Sequence, residues 1–189
     1  MAKFSVAEEI TGRFEGLYAN NPKDRGGETY AGIARNFWGN WDGWNVIDAI
    51  KEKYGTKPAI INFHASKDAF LNKLISQFYK KNFWDVNKLD LIQDQQLANN
   101  VYDFGVNSGT GRAAKFLQQS ANDTGLVKLV VDGKIGNATL TAINSLSPEL
   151  VYNNFNARKT AFYKSIAVGD QAGFLKSWLS RVKPYKSCA

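Results

Sequence analysis

Apolar residues recur at three- and four-residue steps through most of this 189-residue chain, and that period commits it to amphipathic helices packed on one another. Phe4, Ala7, Ile10, Phe14 and Leu17 mark a first helix that ends near Gly16 and puts Glu15 at its C-terminal edge. Residues 46–54 and 67–81 continue the pattern. In the second, Phe70, Leu71, Leu74, Phe78 and Tyr79 form a stripe backed by Lys73, Lys80 and Lys81. Further helices are expected over 94–106, 111–122, 138–146, 148–168 and 171–182, the fourth of these starting on Pro148, a favoured first-turn residue. Strand patterns are confined to 126–131 and the neighbourhood of 29–33. Between Asn20 and Gly32 the text NNPKDRGGETYAG is dense in turn residues and predicts a loop or small β-hairpin. The fold class is therefore mainly α. A composition shift at 85–94 suggests two lobes, 1–90 and 91–189, and no internal repeat or flexible linker separates them.

The single cysteine, Cys188, permits no intrachain disulfide and no Cys-based metal site, so the fold stands on packing. The single histidine, His64, stands without a second His or a Cys, which excludes a zinc site and makes it a helix-entry residue. No Gly-x-Ser-x-Gly elbow occurs, which speaks against a serine hydrolase. No cofactor is expected. Lys and Arg outnumber Asp and Glu by 24 to 17, giving a formal charge of +7 that favours an anionic partner. The basic residues are scattered, with no run longer than two, which argues against nucleic acid. No stretch reaches the ~20 apolar residues of a membrane span, and the first residues lack the unbroken apolar run of a signal peptide. The expectation is a monomer made in the cytoplasm. It would reach a target outside the membrane after lysis, through a pore-forming partner such as a holin, or by another export route.

Cleaving a glycosidic bond needs one carboxylic acid kept neutral to protonate the leaving oxygen, and a second group that steadies the cation or activates water. Glu15, at a helix end beside Phe14, Leu17 and Tyr18, suits the first role, and Asp24, in a polar turn, suits the second. Glu28 is a rival second carboxylate. Thr29 has two readings, a hydroxyl that helps hold a water or a hairpin residue of high β propensity. Trp38, Trp41 and Trp44 recur every three residues and form either a saccharide platform or core packing; Trp84 and Trp178 are assigned to the core. Asp103 and Asn107, four apart on one helix face, either line a cleft or satisfy backbone groups at the helix end. Tyr18, Glu28, Tyr30, Trp41, Asp103 and Asn107 are the candidates for holding substrate.

The segment FEGLYANNPKDRGGETYAGIA resembles the opening of glycoside hydrolase family 108, bacterial and phage N-acetylmuramidases. Their catalytic Glu lies in Glu-Gly-Gly-Tyr, followed by Asn-x-Pro-x-Asp-x-Gly-Gly-x-Thr and Gly-Ile. Glu15, Gly16, Tyr18, Asn20, Pro22, Asp24, Gly26, Gly27, Thr29, Gly32 and Ile33 match, while Leu17 replaces the second motif glycine. The same stretch is similar to the Glu, Asp, Thr arrangement of phage-type endolysins, with Asp24 to Thr29 one residue short of the usual spacing. Downstream, VYDFGVNSGTGRAAKFLQQSAND and VDGKIGNATLTAIN resemble the peptidoglycan-binding domain that accompanies the family. For Asp132, Gly133 and Gly136 a tight turn before a helix is favoured over sugar contact. FLKSWLSRV is similar to the family's closing Phe-x-x-Gly-Trp-x-x-Arg-Val, with Ser177 in place of the glycine. The resemblance implies a lysozyme-like helical fold with the hairpin segment beside the active site, and a muramidase acting on peptidoglycan glycan strands. Glu15 would be the acid, and Asp24 the base or electrostatic stabiliser. Because family members have also been labelled secretion activators, a weakly active wall-binding accessory is the alternative.

Overall fold

The computed structural model describes residues 1–11, 17–21 and 25–187. The chain divides into two compact units, Thr11–Asn82 and the discontinuous pair Met1–Ile10 with Phe83–Ala189. As expected, the fold is mainly α with one small antiparallel sheet.

In the first unit, β1 (Ala19–Asn20), β2 (Glu28–Tyr30) and β3 (Ile33–Ala34) form a three-stranded sheet in that order. Ala19 pairs with Thr29 and Asn20 with Glu28 across the first ladder, and Thr29 with Ala34 and Tyr30 with Ile33 across the second. Three helices follow: α2 (Gly43–Tyr54), α3 (Pro58–Ala65) and α4 (Ala69–Tyr79). Trp44, Ile47, Ile61, Leu71 and Ile33 are almost wholly withdrawn from water and make the core. Asp68 caps α4 by accepting from the Leu71 amide at 2.8 Å. Helix α3 escapes the periodic reading, being only two turns long and apolar on more than one side. It places His64 in its last turn, stacked at 3.7 Å on Tyr54, rather than at a helix entry.

In the second unit, α1 (Phe4–Thr11) belongs with residues far along the chain. Phe4 packs edge-on against Trp84 and Tyr102, and the Ala2 amide donates to the Ile92 carbonyl at 2.8 Å. The rest of the expected first helix, with Phe14, Glu15 and Gly16, lies outside the described residues, as do Pro22, Asp24 and Cys188. A π-helical turn, Lys80–Trp84, continues α4 and ends on the fully buried Trp84. Then α5 (Gln95–Ser108), α6 (Thr110–Asn122), α7 (Asn137–Ser145) and α8 (Pro148–Ile166) build a bundle around Val101, Phe104, Leu117 and Phe155.

The end of the chain departs from the periodic reading. A 3-10 segment, Gly169–Phe174, precedes a short α9 (Leu175–Leu179), since Gly169 and Gly173 weaken a continuous helix. Trp178 is only partly covered, stacking on Tyr163 and Phe174, which corrects its assignment to the core. Nor do residues 126–131 form a strand. The Asn122 side chain serves their backbone instead, donating to the Leu129 carbonyl at 2.9 Å and accepting from its amide at 2.6 Å.

Inside the bundle, Gln118, only 1% exposed, organises the turn over residues 132–136. Its amide nitrogen donates to Asp132 Oδ1 (2.8 Å) and the Lys134 carbonyl (3.0 Å), and its oxygen accepts from the Gly133 amide (2.9 Å). Gly133 has φ +78°, and an added Cβ would crowd the Gly111 carbonyl at 3.1 Å. Asp132 and Gly133 thus serve a tight turn leading to α7. Gln118→Leu removes the bonds that hold this largely solvent-facing turn and is expected to lower stability by about 1–2 kcal/mol, to be read by urea unfolding. An unchanged midpoint would show that water replaces the amide.

Candidate functional site

The site is built from the hairpin outward. Ala31 and Gly32, at φ +50° and +75°, join β2 to β3 in a two-residue turn of the type that needs left-handed backbone at both positions. Ala31 carries a Cβ penalty there, and the buried Tyr79 hydroxyl offsets it by donating to the Ala31 carbonyl at 2.7 Å. Gly32 is obligatory, since a Cβ would approach that hydroxyl at 2.8 Å. Gly27, at φ +64°, is hemmed in by the Asn36 side chain in the same way.

Strand alternation splits the hairpin residues between two faces. Tyr18, Glu28, Tyr30 and Ile33 face inward, Tyr18 and Tyr30 each 6% exposed. Both tyrosine side chains are therefore withdrawn from solvent. Thr29 shares the opposite face with Ala19 and Ala34 and is half-buried; among the described residues its hydroxyl makes a long 3.4 Å bond to the Gly27 carbonyl.

Glu28, with an 11% exposed side chain, is enclosed by donors. Oε1 accepts from the Tyr18 hydroxyl and from Lys51 Nζ, both at 2.7 Å, and Oε2 accepts from Arg35 Nη1 at 2.7 Å. Asp48, on α2, closes the circuit by taking a bidentate pair from Arg35 at 2.8 and 2.6 Å and a contact from Lys51 at 2.7 Å. Burial on its own would raise the Glu28 pKa, but the bonds from Lys51, Tyr18 and Arg35 outweigh it and hold the carboxyl below its usual range. Asp48 is held lower still, chiefly by Arg35. The Tyr18 hydroxyl is pushed up, first by burial and then by the neighbouring Glu28 charge. Glu28 is thus a fixed anion that ties the sheet to α2, and it has no proton to give at neutral pH.

An open pocket of about 450 Å³ lies in the same unit. The rings of Phe37, Trp38, Trp41 and Phe78 line it together with the polar side chains of Asn40, Asp42, Gln77, Lys81 and Asn82. Trp38 and Phe78 meet edge-on at 4.9 Å, and Trp44 below is wholly buried with its indole N–H donated to the Trp38 carbonyl at 2.9 Å. The three tryptophans therefore divide: Trp44 is core, while Trp38 and Trp41 line a surface. Trp41 lies against the Cα of Gly43, where any Cβ would collide with its ring.

Asp103 and Asn107 belong to the other unit. Asp103 accepts from the buried Lys159 at 2.8 Å and from Arg181 at 2.8 Å, and Asn107 donates to the Asp103 carbonyl one turn back at 2.7 Å. Burial lowers the Lys159 pKa and Asp103 opposes that shift, so this carboxylate is accounted for by the packing of α5 on α8. Glu15 and Asp24 lie outside the described residues. Among the described residues, no group of three or more His, Cys, Asp or Glu side chains converges to hold a metal, and no helix is long and apolar enough to cross a membrane.

Sequence reasoning missed Arg35, Asp48, Lys51 and the polar lining of the pocket. The one available signal was Asp48 and Lys51 at a three-residue helical spacing. The long-range partners Arg35 and Glu28 had none.

A family model described as glycosyl hydrolase 108 matches residues 8–109. A second, described as a predicted peptidoglycan domain, matches residues 112–183. Among solved structures, one titled as the structure of Brucella abortus SagA is 26% identical, with a TM-score of 0.61 over 95% of this chain and 88% of that one. No curated protein matches.

Because the folded-state pKa values of Glu28 and Asp48 are depressed, their contribution to stability is fully present above the ordinary carboxylate range, near pH 4, and is lost as pH falls through the lowered values. Glu28→Gln is expected to cost about 2 kcal/mol at neutral pH and to flatten the acid limb of stability against pH. Thermal unfolding from pH 2 to 7 reads both, and an acid limb as steep as in the parent would remove Glu28 from the network's energetics.

Proposed function

Since the chain belongs to glycosyl hydrolase family 108, we propose that it hydrolyses the β-1,4 bond between N-acetylmuramic acid and N-acetylglucosamine in peptidoglycan, with Glu15 as general acid. Asp24 serves as base or electrostatic stabiliser. The observation that carries this assignment is the commitment of Glu28. The segment Thr11–Asn82 contains seven acidic residues. Glu28 and Asp48 are spent on Arg35 and Lys51, and Asp68 caps α4. A carboxylate turned inward and held by three donors is poorly placed to activate water, which favours Asp24, at the motif position, over Glu28 as the second carboxylate.

Thr29, on the outer face of the hairpin, is available to a water or a substrate hydroxyl, and Tyr18 supports Glu28 from behind. The match to a peptidoglycan domain over residues 112–183 supports the same polymer as ligand. The charge of +7 favours retention on an anionic wall.

Leu17, 71% exposed where the family motif has glycine, supports a second reading, a wall-binding accessory of low activity connected with secretion. Turbidity loss of purified peptidoglycan separates the two. Clearing is expected from the parent chain, with muramic acid at the new reducing ends, and a drop of at least 100-fold is expected for folded Glu15→Gln. Equal clearing by both chains removes Glu15 from the chemistry. Binding to insoluble wall with no clearing by either chain selects the accessory.

A further inference from the structure

The aromatic pocket is not explained by stability. Phe37 is 69% exposed and Trp38 41% exposed, although rings of this size gain most by burial. Trp38 and its neighbour Trp41 are held in place by a built support. Trp44 fixes the Trp38 carbonyl, Phe78 meets Trp38 edge-on, and Gly43 removes the Cβ that would displace Trp41. Around the rings stand side chains that donate and accept, Asn40, Gln77 and Asn82, with one cation, Lys81, and one anion, Asp42.

That lining selects among ligands. A nucleic-acid groove needs a row of cations, and a lipid site needs an unbroken apolar wall. Ring faces alternating with neutral amides suit a sugar, whose C–H face packs on an indole while its hydroxyl and acetamide groups hydrogen-bond at the rim. We propose that this pocket is a glycan subsite in which Trp38 and Phe37 stack an N-acetylated sugar ring and Asn40, Gln77 and Asn82 bind its polar edge. The volume of about 450 Å³ is in the range of small-ligand sites. The inference rests on the reading of the chain as a peptidoglycan glycosidase, and it adds where on Thr11–Asn82 the strand is gripped.

The test uses the full chain carrying Glu15→Gln, so that ligand survives, titrated with a purified tetrasaccharide of alternating N-acetylglucosamine and N-acetylmuramic acid. Indole N–H resonances and intrinsic fluorescence report binding. The expected result is a perturbed Trp38 signal, and affinity about tenfold weaker in Trp38→Ala. Phe37→Ser, at a largely exposed position, is expected to weaken binding with the melting temperature unchanged. In the cleaving chain the same substitutions should raise KM with little change in kcat. Unaltered affinity in both variants, or no binding of the tetrasaccharide at all, overturns the subsite. Normal clearing of wall by Trp38→Ala at unchanged KM overturns the subsite while leaving the glycosidase intact. Trp38-dependent binding by a chain that never cleaves upholds the subsite and overturns the glycosidase.

Discussion

The Glu28 carboxylate, drawn almost out of water, is stable only because three donors reach it from different parts of the chain: Tyr18 before β1, Arg35 just after β3 and Lys51 on α2. A buried anion missing one of these partners would carry a desolvation penalty that nothing repays. Two- and three-residue strands cannot hold their own register through backbone bonds alone. The charge circuit does that work, fastening the sheet to the helix behind it, and so determines which side of the hairpin is left for solvent.

The same constraint shaped what could be read in advance. The helices of the second unit were legible because their apolar stripes are long and their caps are local: Asp94 accepts from the Leu97 amide, and Ser147 does the same for Leu150 ahead of Pro148. The hairpin was legible as a turn-rich stretch, but its turn was not. Ala31 has no intrinsic taste for left-handed backbone, and the hydroxyl that stabilises it comes from Tyr79, 48 residues away. Helix α3 was missed because two turns give too few repeats to define a period. At the candidate site, the motif residues could be named from the resemblance to the family, whereas the commitment of Glu28 to Arg35 and Lys51 is a property of three dimensions. The tryptophan triplet illustrates both sides: its recurrence was visible, but the split into one core ring and two pocket rings follows from Gly43 and Phe78.

Buried polar groups play a matching part in the helical unit. Lys159, fully buried, is answered by Asn100, Asp103 and the Arg181 carbonyl, and Gln118 by the turn over 132–136. Several of the residues that resemble the family's second segment are these structural anchors. At these positions the side chains close the bundle.

The hydrogen bonds of two adjacent residues, Gln95 and Gln96, carry a topological corollary. Gln95 holds Lys3 through its side chain, and Gln96 holds Lys186. Lys3 and Lys186, far apart in sequence, are thus moored side by side on the first turn of α5. The helical unit draws together two segments of sequence, with Thr11–Asn82 inserted between them along the chain. A substitution at Gln95 or Gln96 therefore acts on a segment 92 or 90 residues away along the chain.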